Sequence, residues 1–291
     1  MTNIFNAFSG NTFSKQMISN VLRRVRVALE THGRETKLVA TSLLLKILYE
    51  DSSSSTRKII ENFVDKALLS TDFACLKSRI LTCRVLCYLD LTSSEQSLPF
   101  ANHTILSHLD DAECVEHVSN LLQRLSSKIV HHGRHGLIDI LLKAICIHFN
   151  NTRALRAILF LLESLTDSET RDRIWNSNAL SKLCEAVRNH RSSKLGTSDV
   201  SSIMRLVFVV AREEDLRDLG LHLDALRWMK RYESYDANLH ETCMILVSKV
   251  VRQCSDLDDL GPGEGVSIIL RSLRTFSDMH VLKKAACTLF C

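Results

Sequence analysis

Apolar residues return along most of this chain at intervals of three and four, the period that lays one stripe along an α-helix. From Leu137 onward the stripes come in pairs. The first members are Leu137, Ile140, Leu141, Ile145; Leu180, Leu183, Cys184, Val187; Leu223, Leu226, Met229; and Val266, Ile269, Leu270, Leu273, and their starting residues lie 43 apart each time. Polar turns are predicted after them at 150–152, 192–199, 234–238 and 277–278. Each turn leads into a second stripe: Leu155, Ile158, Leu159, Leu162; Val200, Ile203, Met204, Val207; Leu239, Cys243, Leu246, Val250; and Leu282, Ala285, Ala286, Leu289. The predicted unit is therefore a helical hairpin. One hairpin cannot bury both of its faces, so neighbours must stack into a continuous core.

The first part of the chain is less regular, but pairs are still predicted at 17–29 with 38–49, at 57–69 with 75–91, and, around Pro99, at 103–109 with 114–129. Ile18 and Ile60, in the first and second pairs, are 42 apart. The expected fold is thus all-α: one right-handed α-solenoid of about seven units over residues 1–291, irregular over 1–135 and regular over 136–291.

In the last unit Gly265-Val266-Ser-Ile-Ile-Leu-Arg-Ser-Leu, the turn Phe276-Ser-Asp-Met-His and Ala285-Ala286-Cys-Thr-Leu follow one another, and Gly136-Leu137 repeats the glycine. Ala179 and His222 stand in its place in the two units between. This pattern resembles the armadillo/HEAT-like helical-repeat superfamily. The resemblance implies repeats with a glycine before the second helix, and a third helix rich in small residues that lines a concave groove. It also implies a protein-binding scaffold, in a superfamily that includes nuclear import adaptors, junction and signalling scaffolds, ciliary proteins and chaperone exchange factors. Importin-type peptide binding would need Trp and Asn one turn apart on successive third helices. Trp175 and Trp228 are the two tryptophans and neither has Asn four residues later, so that role is not expected.

Composition agrees with helices. Hydrophobic residues make up 45% and charged residues 24%, enough apolar material for a core, whereas 9 glycines and 2 prolines leave little punctuation for hairpin-rich sheets. Most of the 10 cysteines (Cys83, Cys87, Cys146, Cys184, Cys243 and Cys287 among them) fall inside apolar helical runs, where a thiol serves as a small hydrophobe. A reducing compartment follows, with the cytoplasm expected and the nucleus or cilium as further settings. The richest apolar run, 154–165, is cut by Arg156 and Glu163, so no membrane insertion is expected.

The net charge of +4 is small, but Lys15, Arg23, Arg24, Arg26, Arg34, Lys37 and Lys46 face only Glu30 and Glu35 in the first 49 residues. This end has the composition of a mitochondrial transit peptide, yet 17–29 fits equally as the first solenoid helix, which is the reading preferred. A basic end also suggests nucleic-acid binding as the alternative function. Against it, aromatics are 6% and form no stacking ladder.

Candidate chemistry is sparse. His131, His132 and His135 are interrupted by Gly133 and Gly136 and are expected in a polar turn rather than on a metal. His240-Glu241 opens like a zinc-protease helix, but Met244 occupies the second histidine position. Cys83 with Cys87, and Cys114 with His117, are half sites that no CxxC completes. The loop from Gly261 to Gly265 lacks the P-loop lysine, and Asp256, Asp258 and Asp259 before it would repel an anion. The same acids miss a calcium loop because Leu260 and Ser267 stand at ligand positions. With no nucleophile elbow either, no enzyme activity, cofactor or metal is expected.

What remains is surface. Aligning the second stripes on Leu155, Val200, Leu239 and Leu282 puts Arg156, Ser201, His240 and Lys283 next in turn, with Arg205 and Lys284 nearby. This ladder predicts a mildly basic partner-binding groove, suited to an acidic extended segment of a protein partner. The apolar end at 285–291 has no polar cap, so further repeats or a partner are expected to cover it.

Overall fold

The computed structural model describes residues 15–31, 34–50, 57–58, 60–61, 76–89, 97–129, 131–188, 195–218, 220–232, 236–251, 264–280, 283–284 and 286–287. Among them every regular element is a helix and none is a strand, so the chain is all-α. No described helix is long and apolar enough to cross a membrane. The chain divides into two compact units, Met1–Leu137 and Ile138–Cys291.

The first unit contains α1 (Lys15–Thr31), α2 (Arg34–Glu50), α3 (Leu76–Tyr88), α4 (Ser97–Ser107) and α5 (Ala112–Arg124). Each packs on the next in a short chain of contacts: α1 on α2, α2 on α3, α3 on α5, with α4 against α5. The stripes explain the core, which holds Leu22, Val25 and Leu29 of α1, Leu44, Ile47 and Leu48 of α2, Leu86 of α3, Ile105 of α4 and Val118 and Leu122 of α5. Pro99 lies in the first turn of α4, where its missing N–H has no intrahelical acceptor to lose. α4 therefore starts ahead of the expected 103. Asp111 opens α5 by accepting the Cys114 N–H at 2.7 Å. The predicted helix 57–69 is described only at 57–58 and 60–61, which are helical.

The division between the units falls within α6 (His131–His148). The turn expected from the glycines there is not formed. A glycine inside a helix costs about 1 kcal/mol, not enough to end one whose Leu137, Ile138, Leu141, Ala144 and Ile145 are buried.

The second unit continues with α7 (Thr152–Leu165), α8 (Arg171–Trp175), α9 (Asn178–Arg188), α10 (Thr197–Val210), α11 (Glu213–Asp218), α12 (Leu221–Arg231), α13 (Ala237–Val251) and α14 (Glu264–Thr275). The predicted helix 282–289 is described only at 283–284 and 286–287, which are helical, and the loop before Glu264 lies outside the described residues. Helix starts are set by side chains that take up otherwise unpaired amides. Asn151 accepts from Ala154 at 3.1 Å, Ser177 from Leu180 at 3.2 Å, and Asp236 from Leu239 at 3.1 Å. Gly220 precedes α12 at φ 63°, in the left-handed region where a β-carbon is strained.

α10 packs between α7 and α13, and α12 between α9 and α14. Short α8 sits against α10, and short α11 against α12 and α13. Five of the polar bonds across these contacts join residues about one sequence repeat apart: 43 for Arg156 with Asp199, 42 for Arg205 with Glu163, and 41 for Ser201 with Thr242, Trp228 with Val187, and Lys249 with Phe208. Lys249 with Ala211, Arg188 with Asp224 and Lys230 with Glu264 are closer in sequence, at 38, 36 and 34.

Candidate functional site

Three helices of the second unit, α7, α10 and α13, bury their Leu, Ile and Val stripes and leave the opposite stripes half-open. On α7 the open positions include Arg156, Phe160 and Glu163, on α10 Ser198, Ser202, Arg205 and Val209, and on α13 Asn238, Glu241, Ile245 and Lys249. The steps of three and four within each set are those of one helix face. Between them lies a cleft of about 590 Å³, bounded by Glu163 of α7, by Ser198, Ser202, Arg205 and Phe208 of α10, and by Asn238, Glu241 and Ile245 of α13, with Asp236 at the start of α13. Its floor is a buried pair of hydroxyls. Thr242 donates to the Asn238 carbonyl at 2.9 Å, so the Ser201 hydroxyl is left to donate to Thr242 Oγ1 at 3.0 Å.

The cations at this surface are engaged. Arg205 Nη2 donates to Glu163 Oε1 at 2.8 Å, and its guanidinium carbon lies 5.5 Å from the centre of the Phe160 ring. Lys249 Nζ donates to the carbonyls of Phe208 at 2.8 Å and Ala211 at 2.7 Å, and sits 4.9 Å from the Phe208 ring centre. Its charge therefore serves the carbonyl end of α10, where a cation is favoured. Arg156 Nε donates to Asp199 Oδ1 at 2.6 Å, while Asp199 Oδ2 accepts the Gly196 N–H that opens α10. Asp199 is 1% exposed, so Arg156 neutralises a carboxylate that the helix start has drawn into the interior. The Glu241 carboxylate, in contrast, makes no hydrogen bond or ion pair with any described residue.

Of the basic residues expected along the ladder, Arg156, Arg205, His240, Lys283 and Lys284, Arg205 lines this cleft, together with the ladder's Ser201 on its floor. Arg156 is on the same face of the unit but is spent on Asp199. Lys283 and Lys284 are exposed at the other end of the second unit's sequence and are not part of the cleft. His240 corrects the ladder outright, since it is 1% exposed and belongs to the core. Its Nε2 lies 2.9 Å from the Tyr232 carbonyl, which can only accept, so Nε2 carries a hydrogen, and Nδ1 meets Ser272 Oγ at 2.8 Å. The ring also lies 4.9 Å from that of Phe276, so His240 fastens α13 to α14. The ladder position turns inward on α10 as well, where Ser201 is 8% exposed, and the register between α10 and α13 differs from the expected one. Aligning Val200 with Leu239 sets Ser201 against His240, 39 apart, whereas the hydroxyl pair sets Ser201 against Thr242. Glu163, Ser202 and Glu241 are outside the expected ladder, although their spacing between apolar neighbours marks them as outward-facing.

The half sites also resolve into packing. Burial pushes the Cys83 thiol well above its ordinary range, Cys87 to about 11 and Cys114 to about 12. Burial likewise raises Cys184 to about 11 and lifts Cys243. His117 Nε2 faces Glu113 at 4.0 Å rather than a metal partner set. No group of three or more His, Cys, Asp or Glu among the described residues is placed to hold a metal ion. The side chains of His131 and His132, and the acids before Gly261, lie outside the described residues.

Neither a protein-family model, nor a curated protein, nor a solved structure matches this chain. The cleft is therefore read from its own chemistry. On the N-terminal helix α1, Arg23, Arg24 and Arg26 are exposed, and they belong to the first unit.

Proposed function

We propose that this chain is an armadillo-like scaffold, a right-handed α-solenoid that binds a protein segment and has no catalytic role of its own. The segment, an extended peptide or a helix, lies across the cleft of α7, α10 and α13. The observation that carries this reading is the side-by-side placement of three outward stripes, each about one repeat from the next, around an open cleft of about 590 Å³. Polar bonds spaced by 41 to 43 residues fit stacked repeats, as do the short helices α8 and α11, whose first residues are 42 apart.

The thiol chemistry speaks against these cysteines as catalytic nucleophiles. A nucleophilic cysteine needs a lowered pKa in an electropositive setting, and burial moves Cys83, Cys87, Cys114, Cys184 and Cys243 the other way. Buried thiols also suit a reducing compartment such as the cytoplasm. The acidic partner suggested by the ladder loses its support, because Arg156 and Arg205 already face carboxylates.

The test is capture of partners by the full chain with and without a filled cleft. Ser202 is half-open on the α10 wall, so Ser202→Trp should occupy the cleft and leave the core alone. The expected result is a partner recovered by the wild type and lost with a variant of unchanged helix content and melting temperature. An unchanged set of captured proteins would remove this face from the proposal.

A further inference from the structure

We infer that the cleft selects a basic segment, seating a long arginine or lysine side chain against α13. This rests on the scaffold reading and adds the chemistry of the occupant. Charge and shape independently point to this occupant. Lining carboxylates are Glu163, Asp236 and Glu241, and the lining cation is Arg205. Glu163 and Arg205 neutralise one another. Of the cations nearby, Lys249 is turned to the carbonyls ending α10 and Arg156 to Asp199. Asp236 uses Oδ1 to hold the start of α13, and Glu241 pairs with no described residue. The charge left facing the cleft is negative, and it lies on the α13 side.

The shape agrees. Phe208 and Val209 on one wall and Ile245 on the other supply apolar surface between the hydroxyls of the floor and the carboxylates of the rim. A long basic side chain has the matching construction, an aliphatic stem with a charged head. Its stem would lie along Ile245 and Val209 while the head reaches Glu241, a charge-assisted hydrogen bond of the stronger kind. A volume of about 590 Å³ exceeds what one side chain fills, leaving space for the flanking backbone of an extended segment. An acidic segment would set its carboxylates beside Glu241 and Asp236, and like charges so placed cost binding energy.

The probes are labelled Gly/Ser peptides carrying spaced arginine, the neutral isostere citrulline, or glutamate, titrated by fluorescence anisotropy against the full chain at low ionic strength. The arginine peptide should bind, with citrulline weaker by about tenfold or more. Glu241→Lys should weaken the arginine peptide by a similar factor and Glu241→Gln by less, while Lys283→Glu, outside the cleft, should not. Melting curves establish that each variant is folded. Equal binding of the glutamate and arginine peptides, no binding of either, or an arginine affinity indifferent to Glu241→Lys overturns the inference. The scaffold reading is judged separately by Ser202→Trp. If that variant loses the captured partner while the arginine peptide fails to bind, the face is right and the chemistry of its occupant wrong; if capture persists as well, both fall.

Discussion

Asp199 is almost wholly withdrawn from water, and each of its oxygens has one partner: the Gly196 N–H at 2.9 Å and Arg156 Nε at 2.6 Å. A buried carboxylate is tolerated only with such partners, since charge taken out of water otherwise costs several kcal/mol. Asp199→Ala removes both the helix-start bond and the ion pair and is expected to cost about 2–3 kcal/mol. Arg156→Ala leaves the buried Asp199 carboxylate with one of its two partners gone and is expected to cost a similar amount, about 2–3 kcal/mol, reduced to the extent that water enters where the 48%-exposed Arg156 stood. Urea unfolding checks both, and the double variant should lose less than the sum, as coupled residues do. Strict additivity would show that the pair is not an energetic unit. His240 makes a related point, because its two ring nitrogens are occupied by Tyr232 and Ser272 and so are unavailable to a partner.

Between helices, the clearest tie is the Trp228 indole N–H, which donates to the Val187 carbonyl at 3.0 Å from α12 into the last turn of α9. Trp228→Phe keeps an aromatic ring in the core but leaves a carbonyl without this donor, and is expected to cost about 1–3 kcal/mol. A chemical-melt shift smaller than that would mean water or a neighbour replaces the bond. Elements of this size were readable wherever the apolar period had length to declare itself. α7, with Leu155, Ile158, Leu159 and Leu162 all buried, is such a case, and so is α13. α8 and α11, at 5 and 6 residues, are shorter than two turns and hold too few positions to show a period. The start of α6 was not legible because Gly133 and Gly136 signal a stop that burial further along the helix overrides. The cleft was harder than the helices. Its residues are polar and their meeting depends on the register between helices, where a slip of two residues replaced the Thr242 position with that of buried His240. Apolar stripes fix which side of a helix is inside, but sliding one helix along another by part of a turn barely changes that pattern, so register is decided by contacts distant in sequence.

Across the whole chain, buried thiols set an upper limit to the pH range of the fold. Cys87 and Cys184 are raised to about 11 and Cys114 to about 12 by burial, against an ordinary value of 9.0. Between those values the unfolded chain has lost thiol protons that the folded chain still holds. The folded state thus binds more protons, and stability must fall as pH rises through this interval. The contribution is intact below about pH 9 and is lost progressively towards pH 11 to 12. The informative quantity is a difference between chains. Cys87→Ala with Cys184→Ala should lower stability at neutral pH by removing packed atoms, yet flatten its decline above pH 9. Melting temperature followed from pH 8 to 11 for both chains measures this. Parallel curves would mean that the thiols ionise without opening the core, whereas convergence at high pH is the outcome expected if protonated thiols are part of what holds the stacked helices together.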